Sequence, residues 1–195
     1  MAARYVASTV KKTLLTSFEP TETYQLVAGD GRALTDDTIF YGDGGTRSVR
    51  LTMPPFGISA SGPSVSQSFS TTFNLSAADG ILFYIRAEDD ATATALMNGS
   101  PPEHLGSLTV RLSDPQNQIA AYYGDALTKI RPRVWENVFI PMSLIVPAAT
   151  FQPQNVRGLV LGIQPVDAFH AAPLESLACN VDAVYAVYFH AAQID

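Results

Sequence analysis

Residues 65–75 read VSQSFSTTFNL. Val65, Phe69, Phe73 and Leu75 fall on one side of that stretch, and Ser66, Ser68, Ser70, Thr72 and Asn74 fall on the other. Successive side chains of a strand point to opposite faces, so a period of two sustained over this length marks a strand with one buried face. The same reading extends outward. In 81–87 (ILFYIRA), Ile81, Phe83 and Ile85 are expected to face a core, with Leu82, Tyr84 and Arg86 opposite. In 107–113 (SLTVRLS), Leu108, Val110 and Leu112 point in, and Thr109 and Arg111 point out. In 179–190 (CNVDAVYAVYFH), Val181, Ala183, Tyr185, Val187 and Phe189 are expected to alternate with Asp182, Val184, Ala186 and Tyr188.

Further short strands are expected at 4–10, 13–18, 23–28, 46–53, 118–123, 134–141 and 156–164, separated by turn clusters such as Gly42-Asp43-Gly44-Gly45 and Asp79-Gly80. Residues 29–38 and 56–63 read as loops, and 88–105 as a long insertion-like segment in which ATATALM makes a short helical turn. Many short strands with almost no amphipathic helix define an all-β fold, an antiparallel two-sheet jelly-roll β-sandwich. The expected organisation is an N-terminal arm or assembly strand, 1–14, followed by a single sandwich domain, 15–195.

Composition narrows the function. Of 195 residues, 47% are hydrophobic and 15% charged, which suffices for one domain with a real core. Twelve Lys and Arg against 18 Asp and Glu leave a net charge of −6, the wrong sign for a general nucleic-acid binder. No stretch approaches the roughly 20 apolar residues of a membrane span. The first residues, MAARYVASTVKK, lack the apolar run of a signal peptide, so synthesis in the cytoplasm without a signal is expected. A single cysteine, Cys179, excludes an intrachain disulfide and reads as a small buried hydrophobe. Nucleophile-elbow, zinc-protease, P-loop and dinucleotide motifs are absent, and His104, His170 and His190 are dispersed. The chain therefore reads as non-catalytic. The acidic runs Asp36-Asp37 and Glu88-Asp89-Asp90 read as solvated loop charge.

Four segments, in order, resemble the carbohydrate-binding-module, or galactose-binding-like, group of jelly-roll sandwiches. They are the opening strand with Phe18-Glu19, the segment Gly44-Gly45-Thr46-Arg47-Ser48-Val49-Arg50-Leu51, the segment Trp135-Glu136-Asn137-Val138-Phe139-Ile140-Pro141-Met142-Ser143, and the closing Val181-Asp182-Ala183-Val184-Tyr185. The resemblance implies a structural Ca²⁺ with Glu19 and Asp182 as carboxylate ligands, completed by backbone carbonyls near Gly45 and Arg47. Such an all-oxygen set suits calcium.

Two functional readings follow. Tyr84, Arg86, Arg111 and Tyr122 could form an aromatic platform with guanidinium donors for a glycan. The other reading starts from a module-like sandwich with no visible export signal, linker or catalytic partner. That combination suits a virion structural protein, a capsid decoration or cement protein or a tail component, with Arg4, Tyr5, Lys11 and Lys12 on an assembly arm. Many outward positions, among them Leu82, Tyr84, Val184 and Tyr188, are uncharged, which suggests a surface covered in the working state. This ranks the virion role, as a homo-oligomer, first and the carbohydrate-binding module second.

Overall fold

The computed structural model describes residues 9–29, 31–41, 45–53, 62–97, 108–163 and 176–190. Their strands are β1 (Thr9–Thr16), β2 (Tyr24–Val27), β3 (Arg32–Asp36), β4 (Ser48–Met53), β5 (Ser64–Phe73), β6 (Gly80–Ala87), β7 (Leu108–Ser113), β8 (Ile119–Gly124), β9 (Trp135–Pro141), β10 (Val146–Pro147), β11 (Val156–Ile163) and β12 (Leu177–His190). One short helix, α1 (Asp90–Met97), follows β6. These strands pair antiparallel. The first sheet runs β3-β4-β12-β6-β9, with β1 also on β12; the second runs β10-β8-β7-β11-β5-β2. Most consecutive strands thus lie in different sheets, the pairs β3–β4, β7–β8 and β10–β11 excepted, and the fold is a jelly-roll sandwich.

The alternation read from the sequence builds the core. Val49, Leu51 and Met53 of β4 and Ile81, Phe83 and Ile85 of β6 meet Val65 and Phe69 of β5, Leu108, Val110 and Leu112 of β7, and Leu159, Leu161 and Ile163 of β11, all buried in one cluster. Strand β12 is the spine of the first sheet. Leu177–Val181 pair with β4, while Val184–His190 pair with β1, so one edge of a single strand serves two partners in turn.

The expected single alternation of β12 does not hold. Ala183 sits at φ 40° and the register to β6 shifts between Asp182 and Tyr185. A bulge inserts an extra residue and exchanges the two faces beyond it. Val181 therefore faces the core before the bulge, Val184 and Ala186 face it afterwards, and Ala183 and Val187 turn to the outside of the sheet.

Other expectations shift as well. Residues 29–38 contain a strand, β3, with Ala33 as its one buried residue and Leu34 54% exposed; an edge strand needs little apolar signal. Strand β1 runs unbroken from Thr9, paired with His190, so residues 9–14 of the expected arm belong to the first sheet. Arg4 and Tyr5 lie outside the described residues, as do His104 and His170. The acidic runs make local contacts while Asp37 and Asp90 stay exposed. Asp37 pairs with Arg47 at 2.7 Å, Glu88 pairs with Arg50 at 2.8 Å, and Asp89 caps α1 by accepting the Thr92 N–H at 2.8 Å.

Candidate functional site

The outer face of the first sheet carries what the core does not use. Alternation along β6 sends Leu82, Tyr84 and Arg86 outward. Cross-strand register then sets Tyr84 between Asp182 of β12 and Asn137 of β9, and Arg86 between Asn180 and Trp135. Tyr41, just beyond β3, stacks on Tyr84 with ring centroids 3.6 Å apart and planes 13° apart, and Trp135 stands edge-on to Tyr41 at 6.0 Å. Leu82, Tyr84, Ala183 and Val187 form a second buried cluster, with Tyr41, Trp135, Phe139 and Tyr185 half-buried around it. A sheet face turned away from the core is thus aromatic where charge would be ordinary. Farther along it, Phe139 contacts Phe189 at 5.6 Å and Lys12 Nζ lies 5.7 Å from the Tyr185 ring. Lys11 Nζ lies 5.8 Å from the Tyr188 ring.

The four residues expected to bind a glycan do not form one site. Tyr84 and Arg86 share the aromatic face. Arg111 lies on the outer face of the other sheet, in register with Ala121 and Val160, its Nε buried without a partner among the described residues. Tyr122 turns into the core and donates its hydroxyl to the Asp125 carbonyl at 2.8 Å; burial pushes its phenol pKa up. Its neighbour Tyr123 is the one that faces out, 42% exposed. Tyr41 and Trp135 are absent from the expected set. Tyr41 sits beside the glycine-rich stretch 42–45, where no periodicity signals a face, and Trp135 sits in a segment read for packing.

The Arg86 Nη1 is buried and has no hydrogen-bond partner among the described residues. Its neighbours differ. Arg50 is engaged by Glu88 at 2.8 Å, Arg131 by Glu136, and Arg133 donates through Nε to the Glu88 carbonyl at 3.3 Å.

Beside the same face lie the expected calcium ligands. Glu19 accepts the Thr46 N–H at 2.7 Å, the Thr46 hydroxyl at 2.8 Å and the Arg47 N–H at 3.2 Å. Desolvation works against its charge, but these donors and the Arg47 guanidinium hold its pKa below the ordinary value. Asp182 is 1% exposed and accepts the N–H groups of Tyr41 at 2.8 Å and Ala183 at 2.7 Å. Burial pushes its pKa up to about 7; the two N–H donors oppose that, and the charges of Glu19 and Glu22 reinforce it. A methyl group added at Gly45 would lie 2.9 Å from Glu19 Oε1 and 3.7 and 3.8 Å from the carbonyl oxygens of Tyr41 and Arg47, so three oxygens surround this glycine. No group of three or more His, Cys, Asp or Glu side chains among the described residues is arranged to hold a metal. The oxygens around Gly45, one from the Glu19 carboxylate and two from backbone carbonyls, are of the hard type that calcium takes. Cys179 is buried, with its thiol pushed up to about 12, and is not a ligand candidate.

Together the sheet order and the antiparallel pairing define a jelly-roll β-sandwich, with an aromatic outer face on its first sheet. Among solved structures, the chain is similar to the family 11 carbohydrate-binding module of the cellulosomal cellulase Lic26A-Cel5E of Clostridium thermocellum, with a TM-score of 0.52 and 13% identity over 96% of this chain and 100% of the module. It is also similar to part of the agarase AgWH50C (TM-score 0.53, 12% identity) and of an exo-β-agarase (TM-score 0.53, 9% identity), covering 94% and 92% of this chain but 25% of each of those chains. At these identities the likeness is one of fold. Neither a protein-family model nor a curated protein matches the chain.

Proposed function

We propose that this chain is a non-catalytic carbohydrate-binding module whose glycan lies on the outer face of the first sheet, against Tyr41, Trp135 and Arg86. The observation that carries this reading is the Tyr41–Tyr84 stack with Trp135 edge-on to it. Sugar rings present an apolar C–H face that packs on aromatic rings, while their hydroxyls pair with groups such as Arg86 and Asn137. The fold similarities favour this second sequence reading over the virion role, which they do not support.

Calcium belongs to the same proposal. Glu19, Asp182 and the carbonyls of Tyr41 and Arg47 would hold it. The ion would neutralise buried carboxylate charge and fix the backbone that presents Tyr41. Self-association is a separate proposal, supported by β1, which pairs with β12 alone among the described residues and exposes Val10 (50%) and Leu14 (46%) beside Phe189 (47%).

Affinity electrophoresis on neutral and acidic polysaccharides, followed by calorimetry, tests the main reading. Tyr41→Ala and Trp135→Ala should each lower affinity about tenfold or more with the fold retained. Full retention of binding in both variants would overturn the assignment of this face.

A further inference from the structure

Arg86 stands on the aromatic face with no ion pair among the described residues. Its buried Nη1 has no acceptor among the described residues, whereas Arg50 and Arg131 each have a glutamate. The flanking groups are already committed. Asn180 donates to Asp36 and to Ser48, each at 2.9 Å. The Asp182 oxygens accept from Tyr41 and Ala183, and Asp89 caps α1. The neighbour on β9 is Trp135, an aromatic ring and indole donor with no side-chain acceptor. A guanidinium is always charged and presents a planar fork of donors that matches a carboxylate or sulfate. A neutral sugar hydroxyl satisfies one N–H and leaves the charge.

We infer that the glycan of this face is acidic, a sugar bearing a carboxylate or a sulfate ester whose anionic group docks on Arg86 beside Trp135 and Tyr41. The inference rests on the glycan-binding reading and narrows its ligand class. A uronate and a sulfate ester offer the same chemistry to Arg86. The chain as a whole carries net charge −6, so attraction of an anionic polymer must come from this local site rather than from the global field.

The test is calorimetry with three probes: an oligogalacturonate hexasaccharide, a sulfated galactan hexasaccharide and neutral cellohexaose. Each is titrated into wild type, Arg86→Gln and, as a control on the far sheet, Arg111→Gln, at about 50 and about 500 mM NaCl. At least one anionic probe should bind wild type about tenfold tighter than the neutral one, with the advantage shrinking at high salt. Arg86→Gln should lose that advantage, so that the anionic and neutral probes bind it about equally, and Arg111→Gln should keep it. Which anionic probe wins separates carboxylate from sulfate. Equal binding of neutral and acidic probes to wild type would overturn the inference, as would a preference that survives Arg86→Gln. The wild-type salt dependence decides the matter even if Arg86→Gln fails to fold. Absence of binding by all three probes would instead overturn the glycan-binding reading itself.

Discussion

Asp36 ties an edge strand to the spine of the first sheet. Its Oδ1 accepts the Thr38 N–H (2.9 Å), the Thr38 hydroxyl (2.7 Å) and the Ile39 N–H (3.0 Å), and its Oδ2 accepts from Asn180 (2.9 Å). Desolvation opposes its charge, yet these donors outweigh it and hold the carboxyl at about 2. A carboxyl depressed in the folded state stabilises the fold above its unfolded value of about 3.9, and that contribution disappears as pH falls through about 2. Asp36→Ala should therefore cost about 1–2 kcal/mol at neutral pH, allowing for partial exposure, and the gap to wild type should narrow as pH drops toward 2. Urea unfolding at several pH values measures this, and a gap unchanged down to pH about 2.5 would refute it. Tyr122 supplies the contrasting case. Tyr122→Phe should cost about 0.5–1.5 kcal/mol, from the lost bond to Asp125, and leave glycan affinity untouched because the ring lies inside the sandwich. Tyr84 and Arg86 were legible in the sequence as outward residues of one strand. Tyr41 was not, because its partner in the stack lies 43 positions away and only the fold brings the rings together.

At the scale of elements, the bulge in β12 matters most. Without it, Tyr185 and Val187 would continue on the face of Val181 and enter the core, where Val184 and Ala186 now fit. Ala183 holds φ 40°, a conformation poorly tolerated by β-branched residues. Ala183→Val should cost at least about 1–2 kcal/mol of stability by denaturant titration. Deleting Ala183 should abolish cooperative unfolding, since a one-residue slip sends every later side chain to the wrong face. A deletion variant melting like wild type would show that the register is not set here. The strands β5, β6 and β7 were legible because each keeps a strict period of two. The bulge was hidden because both of its alternation phases place apolar residues on each face of β12.

For the whole molecule, the calcium proposal predicts a linked stability. A ligand bound only to the native state adds about 2.7 kcal/mol at a hundred times its dissociation constant. For a domain of this size that corresponds to a melting temperature roughly 5–10 °C lower in chelator than in saturating calcium. Differential scanning fluorimetry with wild type and Asp182→Asn measures it. Identical midpoints with and without chelator would remove Glu19 and Asp182 from any metal site. The sequence by itself determined the all-β class, most of the strands and the core faces of β5, β6 and β7, because these follow from local periodicity and composition. The tertiary structure alone decided which outward residues share a face. Tyr122 went to the core and Arg111 to the far sheet, while Tyr41 and Trp135 joined Tyr84 and Arg86. The physical reason is that sheet order and register are set by long-range pairing and by one bulge, whereas alternation along a strand reports only which side of its own strand a residue takes.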